Sequence, residues 1–234
     1  MTSDTQGEGL SLVRRALAGW RRLGRNTAAT SAIEFGLILP VLTTLGMYGA
    51  EIANMQITRM QVSQLAISVA DSASRMQQTN NNVVAPTVTE ADVDSVLSGA
   101  ARQGRPIRLE QQGRIILSSL EVDPVTGRQF IHWQRCTGGK TNKKSRYGDE
   151  GPNNGLSGTV ITGLGTGATK VTASPGVAVM FAEVHYDYEG IFGDLFVKNL
   201  SFTQEAAFVV RDARDLRAAN LPGLTGSGSK SKCR

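Results

Sequence analysis

Hydrophobic residues are concentrated in one long run near the N-terminus of the chain. Between Arg25 and Arg59 there is no lysine or arginine, and Glu34 and Glu51 carry the only formal charges. The run is long enough to cross a membrane as a tilted helix of about 20 residues. Pro40 lies inside it and should loosen the helix, since proline removes one backbone hydrogen bond. We therefore predict a transmembrane helix that begins near residue 30.

The apolar pattern continues beyond this run as a narrower stripe. Residues 52–78 contain no proline or glycine, and apolar residues recur at intervals of seven, with alanines between them. These residues are Met55, Val62, Ala66, Val69, Ala73 and Met76. The spacing predicts that the helix continues out of the membrane, so that the whole element covers residues 30–78. The stripe would pack either on the chain's own globular domain or on neighbouring subunits.

Shorter elements follow a linker at residues 79–88. Thr89 and Asp92 have the spacing of a capping box, which predicts a short helix that ends at Gly104 and Pro106. Alternation of apolar and polar residues then predicts two strands joined by a turn, with Ile131 and Trp133 on one face, and two later strands. The four predicted strands cover residues 116–122, 129–136, 177–188 and 200–210.

These elements predict the α+β class, with a mainly antiparallel sheet covered by the long N-terminal helix. The α+β domain would occupy residues 79–220. A Gly/Ser-rich tail at residues 221–234 is predicted to be flexible. The sequence thus predicts one membrane helix that continues into one domain outside the cytoplasm.

The positive charge of the chain is concentrated before the apolar run. The formal net charge is +5, and residues 1–29 hold five arginines against two acidic residues. Basic residues beside a span remain in the cytoplasm, so we predict a cytoplasmic leader at residues 1–29 and a periplasmic domain after the span. The charge therefore indicates membrane topology, and nucleic acid is not an expected partner. The leader fits either a basic amphipathic helix on the inner membrane surface or an unstructured arm.

Two simpler interpretations of the apolar run were weighed against its sequence. A secretory signal peptide needs a shorter apolar core and a small-x-small cleavage site, and Tyr48 and Glu51 stand where that site would fall. A plain single-pass anchor, in which Glu34 only marks the interface, stays open. A charge near hydrocarbon costs about 3 kcal/mol, so we expect Glu34 to have a partner or a purpose.

The residues around Glu34 resemble the start of type IV pilin-like proteins. A basic leader precedes a small residue, four further residues, Glu34-Phe35 and a hydrophobic helix that contains Pro40. In these features the chain is most similar to the TadE-like proteins of the Tad (Flp) pilus assembly system. The resemblance is confined to the leader and the start of the long helix, and the strand-rich remainder agrees with the family only in general layout.

The resemblance implies a processing step and a mode of assembly. In that family a prepilin peptidase cuts on the cytoplasmic side, which here falls between Ala29 and Thr30 and makes Glu34 the fifth residue of the mature chain. Glycine is usual before the cut, where this chain has Ala29. Cleavage exposes a positive α-amino group, and Glu34 would pair with that group on a neighbouring subunit.

The implied function is that of a minor pilin or assembly protein, which acts through helix–helix packing. Its implied partners are the inner membrane, the prepilin peptidase, other pilins and the Tad secretion machinery. Its implied location is the inner membrane and a surface pilus. The competing function is an unprocessed, single-pass envelope binding protein or adhesin that never polymerises.

A long loop at residues 137–170 separates the predicted hairpin from the last two strands. Its basic stretch, residues 140–146, precedes Asp149 and Glu150. We predict a solvated loop there in preference to a contact with nucleic acid or anionic sugar. The glycine-rich stretch at 163–170 lacks the Gly-Lys-Ser/Thr ending of a phosphate-binding loop, and we predict that it is flexible.

The chain has two cysteines, Cys136 and Cys233. They have no metal-binding or redox spacing. An oxidising compartment favours a disulfide between them, which would tie down the C-terminal tail. Free thiols and a cross-link between chains are the alternatives.

Little in the sequence resembles an active site. The chain has two histidines, His132 and His185. Glu183, His185 and Asp187 share one face of the predicted third strand and form a candidate metal site, but strands often carry such polar faces and we expect no metal there. The serines and acidic residues form no nucleophile elbow or paired-acid motif. We predict a non-enzymatic protein without a cofactor.

Overall fold

The structure is a computed structural model that describes residues 27–76, 88–150, 160–168, 170–211, 224–226 and 231–233. The predicted leader, except for the backbone of residues 27–29, lies outside the described residues, as does nearly all of the predicted linker. The contacts within the chain divide it into two compact units, Met1–Ile52 and Ala53–Arg234. The predicted membrane segment belongs mainly to the first unit, and the sheet domain belongs to the second.

One long helix, α1, extends from Thr27 to Ser74. Its 48 residues correspond to a length of about 72 Å. The predicted stripe is buried in the second unit, where Val62, Ala66, Val69 and Ala73 contribute to a hydrophobic cluster with the sheet domain. Of the two proposed roles for the stripe, packing on the chain's own domain is therefore confirmed.

Four antiparallel strands form one sheet in the second unit. They are β1 (Gly113–Val122), β2 (Gln129–Thr137), β3 (Val179–Asp187) and β4 (Ser201–Val209). The order across the sheet is β2-β1-β3-β4. The predicted α+β class is confirmed. Strand β1 begins earlier than predicted because Gly113 and Arg114 pair with Tyr186 and His185 of β3.

The two faces of the sheet pack against different parts of the chain. The helix-side face presents Ile115, Leu117, Met180, Ala182 and Val184, which are buried together with the stripe of α1. The opposite, loop-side face presents Leu120, Val179 and Phe181, which form a smaller cluster with Tyr147 and Leu164. Because both faces are covered, β1 and β3 are buried at nearly every position.

A short helix, α2 (Glu90–Gln103), packs beside the stripe. The predicted capping box is present: the Asp92 N–H donates to the Thr89 side chain at 3.2 Å, and the Thr89 N–H donates to the Asp92 carboxylate at 2.9 Å. Gly104 ends the helix as predicted. A single 3-10 turn (Arg105–Ile107) and a four-residue helix, α3 (Leu109–Gln112), then lead into β1.

The β1–β2 hairpin has the predicted turn but one error in its predicted register. Ser119 pairs with Trp133, whereas Leu120 pairs with Ile131, so His132 is an extra residue in β2. Directly paired residues share a face of an antiparallel sheet, and such a bulge changes which residues share it. Ile131 and Trp133 therefore lie on opposite faces, and the prediction of one shared face is wrong.

The described residues of the C-terminal segment are held against the domain. Leu224 is buried in the helix-side cluster. Thr225 accepts a backbone hydrogen bond from Glu90 and donates one to Val88, both at 3.0 Å. These contacts attach residues 224–226 to the start of α2, within the segment for which we predicted a flexible tail.

The last described residues cover the edge of the sheet at β2. The Cys136 N–H donates to the Ser231 carbonyl at 2.6 Å, and Cys136 and Cys233 form a disulfide with a Cα–Cα distance of 5.0 Å. The predicted intramolecular disulfide is confirmed. The covalent bond lies beside a short backbone pairing between Arg135 and Lys232 along this edge strand.

We expect the double variant Cys136→Ser/Cys233→Ser to lose stability, because the bond joins residues 97 positions apart. Closing a loop of that size is worth about 4–5 kcal/mol in the chain-entropy treatment. Urea unfolding in detergent, followed through the fluorescence of Trp133, measures the difference. Reduced wild-type protein is the matched control and should unfold with the variant. Equal unfolding midpoints for oxidised wild type and the variant would contradict this account.

Candidate functional site: an exposed helical segment

The first part of α1 exposes apolar residues on every side. We call residues 30–50 the exposed segment, because all of them except Met47 are exposed. Phe35 is 64% exposed and Leu37 is 70% exposed. The other large apolar residues with most of their surface open include Ile33, Ile38, Val41, Leu42 and Leu45. A helix that is apolar all round requires lipid or other helices around it.

Length and composition make α1 a candidate membrane span. Among the described residues, Thr30–Ser74 is one helix that contains a window apolar enough to cross a membrane, and none of that window is buried. A core helix of a soluble protein would be mostly buried over such a window. The structure therefore supports a single N-terminal helix that is able to anchor the chain in a membrane.

The predicted processing and assembly residues lie together at the start of this helix. Ala29 and Thr30 are in its first turn, and Glu34 and Phe35 are exposed one turn later. A separation of four helical residues corresponds to about 6 Å along the axis. Thr30 and Glu34 of a single chain are thus neighbours along the helix, and the Glu34 carboxylate is open to a partner.

Pro40 lies inside the helix, where α1 nevertheless continues on both sides. Proline has no N–H to give to the carbonyl of Gly36. The next turn carries two threonines whose hydroxyls donate to backbone carbonyls, from Thr43 to Leu39 at 2.7 Å and from Thr44 to Pro40 at 2.8 Å. Internal partners of this kind let threonine hydroxyls lie in an apolar medium.

The exposed segment also contains three glycines, Gly36, Gly46 and Gly49. A Cβ atom added at any of them would meet no other atom within 4 Å. The fold of the single chain therefore does not need these residues to be small. Small residues on a membrane helix allow a second helix to approach closely, so their position suits helix–helix packing.

The candidate metal residues lie on the loop-side face and already have protein partners. Glu183 is fully buried. Its carboxylate accepts hydrogen bonds from the Ser145 hydroxyl at 2.5 Å and from the Arg146 N–H at 3.1 Å. Asp187 pairs with Lys143 at 2.8 Å and with Lys140 at 3.3 Å. No group of three metal-binding side chains is present within the described ranges of the chain.

One side of the basic stretch 140–146 therefore contacts the sheet. Two of its cations, Lys140 and Lys143, neutralise Asp187 of the chain itself. The stretch is a loop with four exposed residues, as predicted. Its half-buried residues Lys143 and Ser145 also provide donors to carboxylates of β3. An anionic partner would have to compete with these internal ion pairs.

Burial and polar contacts shift the pKa values of Glu183, His185 and Asp187 in different directions. Burial raises the pKa of Glu183, and the bonds from Ser145 and Arg146 only partly oppose that effect. Burial also lowers the pKa of His185, and Arg146 and Lys143 lower it further. For Asp187 burial raises the pKa, but the bonds from Lys143, Ser201 and Lys140 outweigh burial and lower the pKa overall.

The glycine-rich stretch holds a carboxylate of its own chain. The N–H and the hydroxyl of Thr166 both donate to Glu205 of β4, at 2.9 and 3.1 Å. The Tyr147 hydroxyl donates to the same carboxylate at 2.9 Å. Leu164, fully buried, exchanges two backbone bonds with Val171. The described part of this stretch is thus fixed on the sheet, where a flexible loop was predicted.

Sequence reasoning missed a buried ion-pair network. Arg135 of β2 donates through two nitrogens to Glu90, the first residue of α2, and through a third to Glu150 at 2.5 Å. Burial lowers the pKa of Arg135, but the two carboxylates together raise the pKa. Glu90 and Arg135 are 45 residues apart, so no local sequence pattern could predict that they form an ion pair. It joins α2, β2 and the long loop.

His132 also has a carboxylate partner. Its Nδ1 lies 2.8 Å from Glu121, and the Ser119 hydroxyl donates to the other oxygen of Glu121 at 2.7 Å. Glu121 therefore stands between the serine and the histidine. A serine nucleophile needs the histidine in the central position, so this buried group has the contacts of a structural element.

Comparison of the chain with protein-family models, curated proteins and solved structures gives no match. The class that the structure defines is an α+β domain of four antiparallel strands, carried on a long helix that is a candidate membrane span.

Glu183→Gln tests the electrostatics of the loop-side face. The pKa of Glu183 is higher in the folded chain than in the unfolded chain. Between these two pKa values the folded chain binds more protons than the unfolded chain, so the stability of the wild type falls as the pH rises. Each unit of pKa difference corresponds to about 1.4 kcal/mol. The variant should therefore become more stable relative to wild type as the pH rises above about 4.3, the ordinary pKa of glutamate.

Urea unfolding of both proteins across pH 4 to 8 measures this difference. Glu110→Gln removes the same charge at an exposed position and is the matched control. Parallel curves for Glu183→Gln and wild type would show that burial does not disfavour the charge at position 183.

Proposed function

We propose that this protein is a minor pilin or assembly protein of a Tad-type pilus, held in the inner membrane by α1. The observation that carries the proposal is the exposed segment, which is apolar on all sides and bears one carboxylate, Glu34, near its N-terminal end. The second half of the same helix packs in the hydrophobic core of the sheet domain.

The proposed mechanism begins with cleavage between Ala29 and Thr30 by a prepilin peptidase. The new α-amino group is positive at neutral pH. Glu34 of one subunit then pairs with the amino group of a neighbour, which offsets the cost of keeping each charge near hydrocarbon. The pairing would set how far adjacent helices are shifted along each other. The glycines of the exposed segment leave room for this packing.

The proposed topology has the leader in the cytoplasm and the domain in the periplasm. The five arginines that precede the helix support this orientation. The Cys136–Cys233 disulfide supports it independently, since such bonds persist in oxidising compartments.

One observation favours the competing function. Ala29 stands before the proposed cut, where glycine is usual in the family. A chain that is not cut would keep its arginine-rich leader and would act as an anchored envelope binding protein or adhesin. Its first helical turn would then carry no α-amino group for Glu34 to contact.

We expect Glu34→Gln to abolish most pilus assembly while the sheet domain stays folded. A charge pair worth about 1.4 kcal/mol or more corresponds to at least a tenfold loss in association of two subunits. Pilus counts by electron microscopy measure the effect, and protease resistance of the membrane-bound protein reports the fold. Glu110→Gln removes the same charge from the exposed surface of α3 and should leave pili unchanged. Normal pilus counts for Glu34→Gln would remove the pairing mechanism.

A further inference from the structure

A second exposed apolar group lies far from the exposed segment in sequence, on the connection between β3 and β4. We call residues 189–199 the β3–β4 loop. Ile191 is 57% exposed and Leu195 is 67% exposed. More than half of the surface of each residue is thus open to the surroundings. Most other large apolar residues of the sheet domain are buried, so their exposure calls for an explanation.

The β3–β4 loop has a defined shape. It contains a short 3-10 turn, Gly193–Leu195. Phe192 and Phe196 flank this turn with their ring centroids 5.9 Å apart in an edge-to-face contact. At the base of the loop, the Tyr188 N–H donates to the Leu200 carbonyl at 2.8 Å. The exposed side chains are therefore presented by a preformed tip, and little conformational entropy would be lost on binding.

The contacts of α1 locate this loop along the second half of the helix. At one end of the sheet, a cleft is lined by Asp71 and Ser74 of α1 together with Phe208 of β4. At the other end, the Asn54 side chain donates to the Tyr188 hydroxyl at 2.8 Å. The helix from Asn54 to Ser74 is about 30 Å long.

Strand β3 runs beside the helix in the opposite direction over the same length. Val179, at the start of β3, pairs with Val209 of β4 near the cleft, and residues 179–188 of an extended strand cover about 30 Å. Tyr188 at its far end has thus reached the level of Asn54. The β3–β4 loop therefore leaves the sheet at the end of the second unit where the α1 portion of that unit begins.

We propose that the β3–β4 loop is a second membrane contact, which places Ile191 and Leu195 in the headgroup region of the bilayer that α1 spans. This inference rests on the proposed membrane anchoring. Two apolar side chains on a rigid tip are enough to enter the boundary between headgroups and acyl chains. They are too few for a stable protein–protein interface, which requires burial of roughly 1,200 Å² or more.

The charges of the loop agree with a shallow insertion. Glu189 is held at the domain by Arg108 at 2.7 Å and by Gln112 at 3.1 Å. Asp194 and Lys198 are exposed beside the apolar residues. One charge of each sign can stay at the level of the lipid headgroups, with the apolar side chains below them. A deeper position would bury both charges in hydrocarbon, which is costly.

The test uses the full chain in phospholipid vesicles, with single cysteines added for a polarity-sensitive fluorophore while the native disulfide stays intact. Leu195→Cys reports the loop. Val125→Cys is the matched control, because Val125 is an exposed apolar residue, 87% open, at the β1–β2 turn on the opposite end of the sheet. Ile38→Cys, in the exposed segment, reports whether α1 is inserted.

We expect the label at Leu195 to emit at shorter wavelength than the label at Val125. It should be quenched by lipids with a shallow nitroxide and should lose most of its quenching by aqueous iodide. The loop proposal alone is overturned if lipid quenches the Ile38 label while iodide quenches the Leu195 label as strongly as the Val125 label. A water-exposed Ile38 label overturns membrane anchoring itself. A Leu195 label shielded only at high protein-to-lipid ratio indicates a contact between subunits and also overturns the lipid contact.

Discussion

The two halves of helix α1 need different surroundings, because one half has a single apolar stripe and the other is apolar on all sides. The rest of the fold covers the stripe and leaves the other half exposed. The second half of α1 offers one apolar stripe, which a single face of a sheet and a short helix can bury. Its first half is apolar all round, and no arrangement of one small domain on one side could cover it. A helix satisfies its own backbone hydrogen bonds, so this half can lie in lipid without partners. Glu34 is the exception, because its charge needs a partner or the membrane surface.

Covering the helix leaves the sheet with a second face to protect. On that face β3 places Glu183, His185 and Asp187 in a row beside a small apolar cluster. Carboxylates in such a position need donors, and the basic stretch 140–146 supplies them to Glu183 and Asp187. The described parts of the connection at residues 137–170 thus contribute contacts that cover this face of the sheet. Among the described residues, the exposed segment of α1 and the tip of the β3–β4 loop both present large apolar side chains to the surroundings.

The elements with local chemical signals were predictable from the sequence. The Thr89–Asp92 capping box and the seven-residue stripe each depend on residues within a few turns of one another, and both are present. The bulge at His132 has no such signal, because it is defined only by the strand opposite. The docking of the basic stretch was also hidden, since Ser145 and Glu183 are 38 residues apart and alternation along a strand does not reveal what covers it.

The candidate site also has features that the sequence could reveal and features that only the fold reveals. Glu34 stands out in the sequence because it interrupts an uncharged run, and its exposure in the structure agrees with a role outside the single chain. The sequence could not show that the three nearby glycines have open space around them. The Arg135–Glu90 pair was equally hidden, because the fold alone brings these residues together.

The central claim is that the exposed segment is the assembly surface of a processed pilin-like subunit. Intact mass and N-terminal sequencing of the protein from its native membrane, with and without the prepilin peptidase gene, test it most directly. The account predicts a mature chain that begins at Thr30 and that is lost when the peptidase is deleted. A chain that keeps its arginine-rich leader in both strains would contradict the account.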